Sequence, residues 1–209
     1  MNFEKISEYL FELNNNQNLK EYYNGIINFE PGSFIPAVRY DAAIALNLFS
    51  RLKNPVNVLE IGFGSGASSL FINKNINPEL FISLEKDSYR YNRGVKLLSN
   101  YKNNITLLND DAFVYLEKSK VFFDFVFLDS VKSDYIKFIN PIKKSLNHGG
   151  LLVTDNIIFS GRVVDDNVEK KYQNGVKYLN IYNKTLSDDN DFITLFVSTG
   201  DGLSISIKK

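Results

Sequence analysis

From Val56 onward the chain repeats one pattern, a short apolar run followed by a helix-compatible stretch, and that repeat constrains the fold more than anything else. The runs are VNVLEIG, LFISLE, ITLLN, DFVFLD and LLVTDN. Each is nearly continuous in apolar residues instead of alternating, as expected of strands covered on both faces. Strands that alternate with helices in sequence build a parallel sheet through right-handed crossovers. After them come DFITLFVS, a TGDG turn and LSISIKK, which read as a hairpin. The expected fold class is α/β: a Rossmann-like, doubly wound seven-stranded sheet, mostly parallel, with an antiparallel C-terminal hairpin and helices on both faces.

The stretch before Val56 is helical in pattern. Phe3, Ile6, Leu10 and Leu13 recur at helical spacing, Asn14 to Asn18 reads as a turn, and about Pro36 to Leu52 reads as another helix. Within the core, Tyr135, Phe138, Ile139, Ile142 and Leu146 mark one helical stripe. Pro141 inside it is expected to kink or restart the helix. Val168, Tyr172, Val176, Leu179 and Tyr182 mark a later helix. With 209 residues the chain suits one domain over 1–209, divided into N-terminal helices (1–54) and a Rossmann-like core (55–209).

Composition removes several chemistries. There is no cysteine and one histidine, His148, so thiolate zinc sites, cysteine nucleophiles and multi-histidine centres are excluded. Any metal must be held mainly by oxygen, which means Mg²⁺, with Mn²⁺ or Ca²⁺ as alternatives. Basic and acidic residues balance at 24 each, so no global field gathers nucleic acid. The opening MNFEKISEYL lacks a signal-peptide layout and no apolar run approaches a membrane span, so a cytoplasmic protein without membrane contact is expected.

Ligands of such sheets bind beyond the carboxyl ends of the strands. An acid stands at each of those ends: Glu60, Glu85, Asp111, Asp129 and Asp155. Gly62-Phe63-Gly64-Ser65-Gly66-Ala67 follows the first strand and also satisfies a dinucleotide pattern. Glu60, two residues before Gly62, separates the readings: a carboxylate there repels a pyrophosphate but suits the ammonium of S-adenosylmethionine. Glu85 is placed for ribose hydroxyls and Asp111-Ala112 for an adenine amino group, although Asp110 leaves that register open and solvated loop carboxylates would look the same. Asp129 and Asp155-Asn156 end adjacent strands, where three oxygen ligands converge on a hard cation or, alternatively, cap helices. Lys132 is a candidate base, or a plain surface lysine.

Glu60-x-Gly62, Asp111-Ala112, Asp129-x-x-Lys132-x-x-Tyr135, Thr154-Asp155-Asn156 and the closing Gly200-Asp201-Gly202-Leu203-Ser204 occur in that order. Together they resemble the class I cation-dependent O-methyltransferases of caffeoyl-CoA and catechol type, in particular the bacterial branch that includes tRNA 5-hydroxyuridine methyltransferases. The resemblance covers roughly residues 36–209. It implies a metal at Asp129, Asp155 and Asn156, and Lys132 as base. It also implies a donor pocket lined by Glu60, Gly62, Gly64, Ser68, Glu85, Asp111, Ala112 and Asp129, and a homodimer. Phe63 and Ala67 depart from the family's usual Thr and Tyr.

The expected reaction is methyl transfer to a hydroxyl with a vicinal oxygen. A catechol-like small molecule would need an aromatic roof, for which Phe34, Tyr40 and Phe159 are candidates. A hydroxylated uridine in tRNA would need a basic rim, for which Arg39, Arg162, Lys170, Lys171 and Lys177 are candidates. Two readings of other classes are an NAD-dependent oxidoreductase, opposed by Glu60, and a non-catalytic binding module, opposed by the joint presence of Asp129, Lys132, Asp155 and Asn156.

Overall fold

The computed structural model describes residues 3–30 and 35–209. Three helices come first: α1 (Phe3–Leu13), α2 (Gln17–Ile27) and α3 (Tyr40–Lys53). Asn16 caps α2 by accepting the Leu19 amide at 3.1 Å, which explains the turn in the Asn-rich run. Ile6, Leu10 and Leu13 share α1 but stay largely exposed, so that stripe is not buried among the described residues. The third helix starts at Tyr40, later than expected. Pro36 disfavours a helical Ile35, and the Val38 carbonyl is taken at 2.7 Å by the Tyr23 hydroxyl.

The core then alternates β1 (Asn57–Ile61), α4 (Ala67–Asn73), β2 (Leu80–Leu84), α5 (Ser88–Leu98), β3 (Ile105–Leu108), α6 (Ala112–Lys118), β4 (Phe123–Leu128), α7 (Tyr135–Ser145) and β5 (Leu146–Thr154). It closes with α8 (Lys170–Asp188), β6 (Phe192–Val197) and β7 (Leu203–Lys208). The seven strands lie in the order β3-β2-β1-β4-β5-β7-β6. The first five are parallel, while β7 is antiparallel to both β5 and β6. The expected fold class is met.

Continuous apolar runs are explained by burial on both faces. Val58, Phe125, Phe127 and Val153 face a core closed by α2, α3, α4 and α5. Their neighbours Leu59, Val126, Leu128 and Leu152 face a second core closed by α6, α7 and α8. Two expectations are corrected here. The seventh helix runs through Pro141 unbroken; the missing amide frees a carbonyl at Lys137, whose residue is exposed to water. Leu146 begins β5 instead of ending that helix, yet it fills the same core.

Strand order reverses between β1 and β4, where such sheets open a crevice. Leu128 of β4 pairs with Thr154 of β5, so these strands end level and Asp129 and Asp155 emerge side by side.

Candidate active site

The turn after β1 is built around Gly62. Its φ is +98°, and a Cβ there would stand 1.8 Å from the Asp129 carbonyl oxygen. Only glycine lets the tip of β1 lie against the tip of β4. The Gly62 and Phe63 amides donate to the Leu84 carbonyl at 3.0 and 3.2 Å, and the Asp129 amide donates to Ile61 at 2.9 Å. Three strand tips are thereby joined around one glycine. Phe63 is buried, and its ring lies against the α-carbons of Gly66 and Gly94. This departure from the family pattern points into the core, away from the donor pocket.

Glu60 is corrected. It is 0% exposed, and its carboxylate accepts the hydroxyls of Ser68, Ser69 and Ser83. It therefore braces the turn from behind and offers no open face to an ammonium. Ser68, expected to line the donor pocket, is buried with it. Burial pushes the Glu60 carboxyl from 4.5 up to about 7, against three serine hydroxyls that pull it down. A carboxyl raised on folding stabilises fully below its unfolded value and loses that contribution as pH climbs towards 7. The shift corresponds to about 3 kcal/mol. Glu60→Gln can still bond the three hydroxyls, which accept as readily as they donate. It should remove about 3 kcal/mol of the stability lost between pH 5 and pH 8. Urea unfolding of both proteins at the two pH values measures this; identical pH slopes would refute it.

Glu85 does join the glycine turn. One carboxylate oxygen accepts the Gly64 amide at 3.0 Å and the other accepts the Asp87 amide at 2.9 Å. Asp111 caps α6, accepting the Phe113 amide at 2.9 Å, and its other oxygen pairs with Lys86 at 2.7 Å. Ala112 opens that helix, next to the cap. Asp111 is thus neither a plain solvated carboxylate nor a free one: it caps α6, a role the sequence reading did not weigh for it.

Asp129, Lys132 and Asp155 come together as expected. Lys132 Nζ lies 3.4 Å from Asp129 Oδ1, 3.4 Å from the Ser130 carbonyl and 3.3 Å from the Tyr135 hydroxyl. Asp155 is 2% exposed, and the Asn156 amide, at 2.7 Å, is the one hydrogen-bond donor to its carboxylate among the described residues. Burial and the neighbouring Asp129 carboxylate push Asp155 far above the usual carboxylate range. Asn156 follows in the left-handed region at φ +61°, turning the chain sharply over the strand end. Among the described residues no group of three or more His, Cys, Asp or Glu side chains is arranged for a metal. The set here is two carboxylates and an amide.

Tyr135 was legible as part of an apolar stripe and as the last residue of the Asp129-x-x-Lys132-x-x-Tyr135 motif, but no role was read for its hydroxyl. It is fully buried, but its hydroxyl reaches Asp129 Oδ1 at 3.4 Å and donates to the Asp155 carbonyl at 3.1 Å. The one hydroxyl in an otherwise wholly apolar stripe was the available signal, since a buried phenol needs a partner. Arg93 was missed altogether; it is buried and donates to the Ser65 carbonyl of the glycine turn at 2.9 Å. Of the aromatic roof, Phe34 lies outside the described residues. Tyr40 instead anchors α2, donating to the Asn16 carbonyl at 2.9 Å, while Phe159 packs against Tyr172 beyond Asn156. Of the basic rim, Arg39 stands apart at the start of α3 beside Asp41 (3.8 Å), and Lys171 pairs with Glu169 (3.1 Å).

A parallel sheet with a glycine turn at its switch point and acids at the strand tips defines a Rossmann-like methyltransferase architecture. The O-methyltransferase family profile matches residues 15–209, and the chain belongs to that family. Tapetum-specific methyltransferase 1 of Arabidopsis thaliana is 26% identical over 178 residues, covering 80% of this chain and 76% of the relative. Caffeoyl-CoA O-methyltransferase 1 of Zea mays is 26% identical over 172 residues, covering 77% and 67%. A Staphylococcus aureus crystal structure, provisionally assigned as a caffeoyl-CoA O-methyltransferase, superposes with TM-score 0.80 at 25% identity, covering 97% of this chain and 98% of its own. The chain is thus an S-adenosylmethionine-dependent O-methyltransferase of the caffeoyl-CoA type, and the nicotinamide and non-catalytic readings fall away. No helix among the described residues is long and apolar enough to cross a membrane.

Proposed function

We propose that the enzyme methylates a hydroxyl that has a second oxygen on the neighbouring carbon, as in a catechol. In this reading a divalent cation is held by Asp129, Asp155 and Asn156. One observation carries it: Asp155 is enclosed beside Asp129, with a single backbone amide to satisfy its carboxylate. Two adjacent carboxylates, one of them short of donors, suit a hard cation, and oxygen ligands favour Mg²⁺, Mn²⁺ or Ca²⁺.

Such a cation supplies a Lewis acid that acidifies the acceptor hydroxyl, and S-adenosylmethionine supplies a methyl group activated by its sulfonium. The chain does the rest. Lys132 Nζ, beside Asp129, is the group placed to take the hydroxyl proton. Tyr135 holds the two aspartates in register through its hydroxyl. Gly62, Gly64, Glu85, Asp111 and Ala112 line the donor side, and Asp129, with a partly exposed side chain, takes the ammonium role first given to Glu60. Glu60 and Ser68 support the turn from within. Phe159 covers the acceptor ring.

A second reading has its own observation. Arg162, Lys170 and Lys177 form no ion pair among the described residues, as a polyanionic tRNA acceptor would require. Labelled S-adenosylmethionine with Mg²⁺, offered catechol and total tRNA, tests both. Label is expected on catechol and lost with chelator. Label on tRNA alone would favour the second reading, and transfer that survives chelation would remove the metal assignment.

A further inference from the structure

We infer that Arg162 reads a negative charge on the methyl acceptor, so that the preferred acceptors are catechols carrying an anionic substituent. This rests on the catechol reading above. It starts from the shape of the loop that follows Asn156. Asn156, Phe159 and Ser160 all adopt left-handed backbone, at φ +61°, +51° and +54°, and Gly161 follows at +80°. Non-glycine residues adopt this region at a cost and keep it only where the surroundings hold them.

The surroundings do hold them. The Ile158 amide donates to the Asp201 carbonyl at 3.0 Å and the Ser160 amide donates to the Asp201 carboxylate. Asn183 donates to the Ile157 carbonyl at 3.0 Å. The Ile157 amide donates to the Gly202 carbonyl at 3.2 Å, so the loop is pinned from the residue directly after Asn156.

Arg162 projects from this loop onto two aromatic rings. Its guanidinium carbon is 4.3 Å from the Tyr172 ring centre and 5.3 Å from that of Phe159, and the two rings meet edge to face at 86°. One guanidinium nitrogen donates to the Phe159 carbonyl at 3.3 Å. The rings fix the guanidinium without neutralising it, since no carboxylate pairs with Arg162 among the described residues. Its neighbour Lys171 has Glu169 and needs no further anion. A stacked, pre-oriented fork with unused N–H groups is suited to a carboxylate, which it can grip bidentately with little further ordering. Arg162 is six residues beyond Asn156 on the same loop, which places the proposed contact on the part of the acceptor away from its vicinal oxygens.

Three catechols of one scaffold test this: 3,4-dihydroxyphenylacetate (anionic), 4-methylcatechol (neutral) and dopamine (cationic), with S-adenosylmethionine and Mg²⁺. For the wild type kcat/KM should fall about tenfold from anion to neutral and again to cation, mostly through acceptor KM. Arg162→Gln should bring all three within about threefold, with donor KM unchanged, and Arg162→Lys should keep the order in weakened form. Equal wild-type rates on all three, or an unchanged order in Arg162→Gln, would overturn the Arg162 inference while leaving the catechol reading intact. If Arg162→Gln does not fold, the wild-type order together with the Lys variant decides. No transfer to any of the three would fail the catechol reading and this inference with it.

Discussion

Asp155→Asn is expected to cut methyl transfer by at least about a hundredfold and, without added metal, to make the protein more stable at pH 8. The two effects share a cause. Asp155 is 2% exposed, beside Asp129, with one backbone amide donating to it. Its carboxyl is pushed from 3.8 to about 8, by burial first and by Asp129 second. A carboxyl raised on folding contributes fully to stability only below its unfolded value. Between about pH 4 and pH 8 the folded protein therefore grows less stable, because the carboxyl ionises in the unfolded chain while the fold holds it protonated. An amide of the same shape avoids that penalty. It also removes one of two anionic ligands from the proposed cation site, hence the loss of activity. Melting scans separate this from a purely structural role. Added Mg²⁺ should raise the wild-type Tm, more at pH 8 than at pH 6 because bound metal and bound proton compete. It should leave Asp155→Asn unmoved. An equal Mg²⁺ response in the two proteins, or an Asn variant that turns over at the wild-type rate, would remove Asp155 as a ligand.

That a residue so costly to the apo fold was legible in the sequence follows from topology. Uninterrupted apolar runs this short, alternating with helix-compatible stretches, read as strands buried on both faces, and parallel strands place all their carboxyl ends at one edge. The acids there were thus located before any side chain was seen, and the register of Leu128 with Thr154 then set Asp129 beside Asp155. What was not legible is which way each side chain turns. Glu60 lies inside β1, level with Ser83 and Phe127 and two positions short of where Glu85 and Asp129 emerge, and Ser68 and Ser69 of α4 and Ser83 of β2 enclose it. No local pattern encodes that convergence. The role of the Tyr135 hydroxyl was hidden for the opposite reason, because a buried ring at helical spacing looks like packing whether or not its hydroxyl has work to do. Pro141 misled because its cost depends on whether the freed carbonyl meets water, which is a tertiary property.

Gly62→Ala should be the most destabilising alanine substitution among the described glycines, by about 3–5 kcal/mol, enough to consume much of a typical domain's 5–15 kcal/mol. Two costs add. The φ of +98° lies outside the regions open to residues with a Cβ, which costs of order 1–3 kcal/mol. The new methyl would then stand 1.8 Å from the Asp129 carbonyl oxygen, and that obstacle is backbone and cannot rotate aside. Relief requires the tips of β1 and β4 to separate, breaking the 2.9 Å bond from the Asp129 amide to Ile61. Gly149→Ala isolates the first cost. Gly149 has φ +67° but nothing within 4 Å of where its Cβ would go, so that variant should lose only about 1–2 kcal/mol. Urea unfolding of the two variants measures the difference directly. Because the same movement displaces Asp129, any folded Gly62→Ala should also lose the Mg²⁺-dependent rise in Tm, whereas Gly149→Ala keeps it. Equal stability losses, with the Mg²⁺ response intact in both, would mean that the contact between the glycine turn and the tip of β4 does not hold the site together.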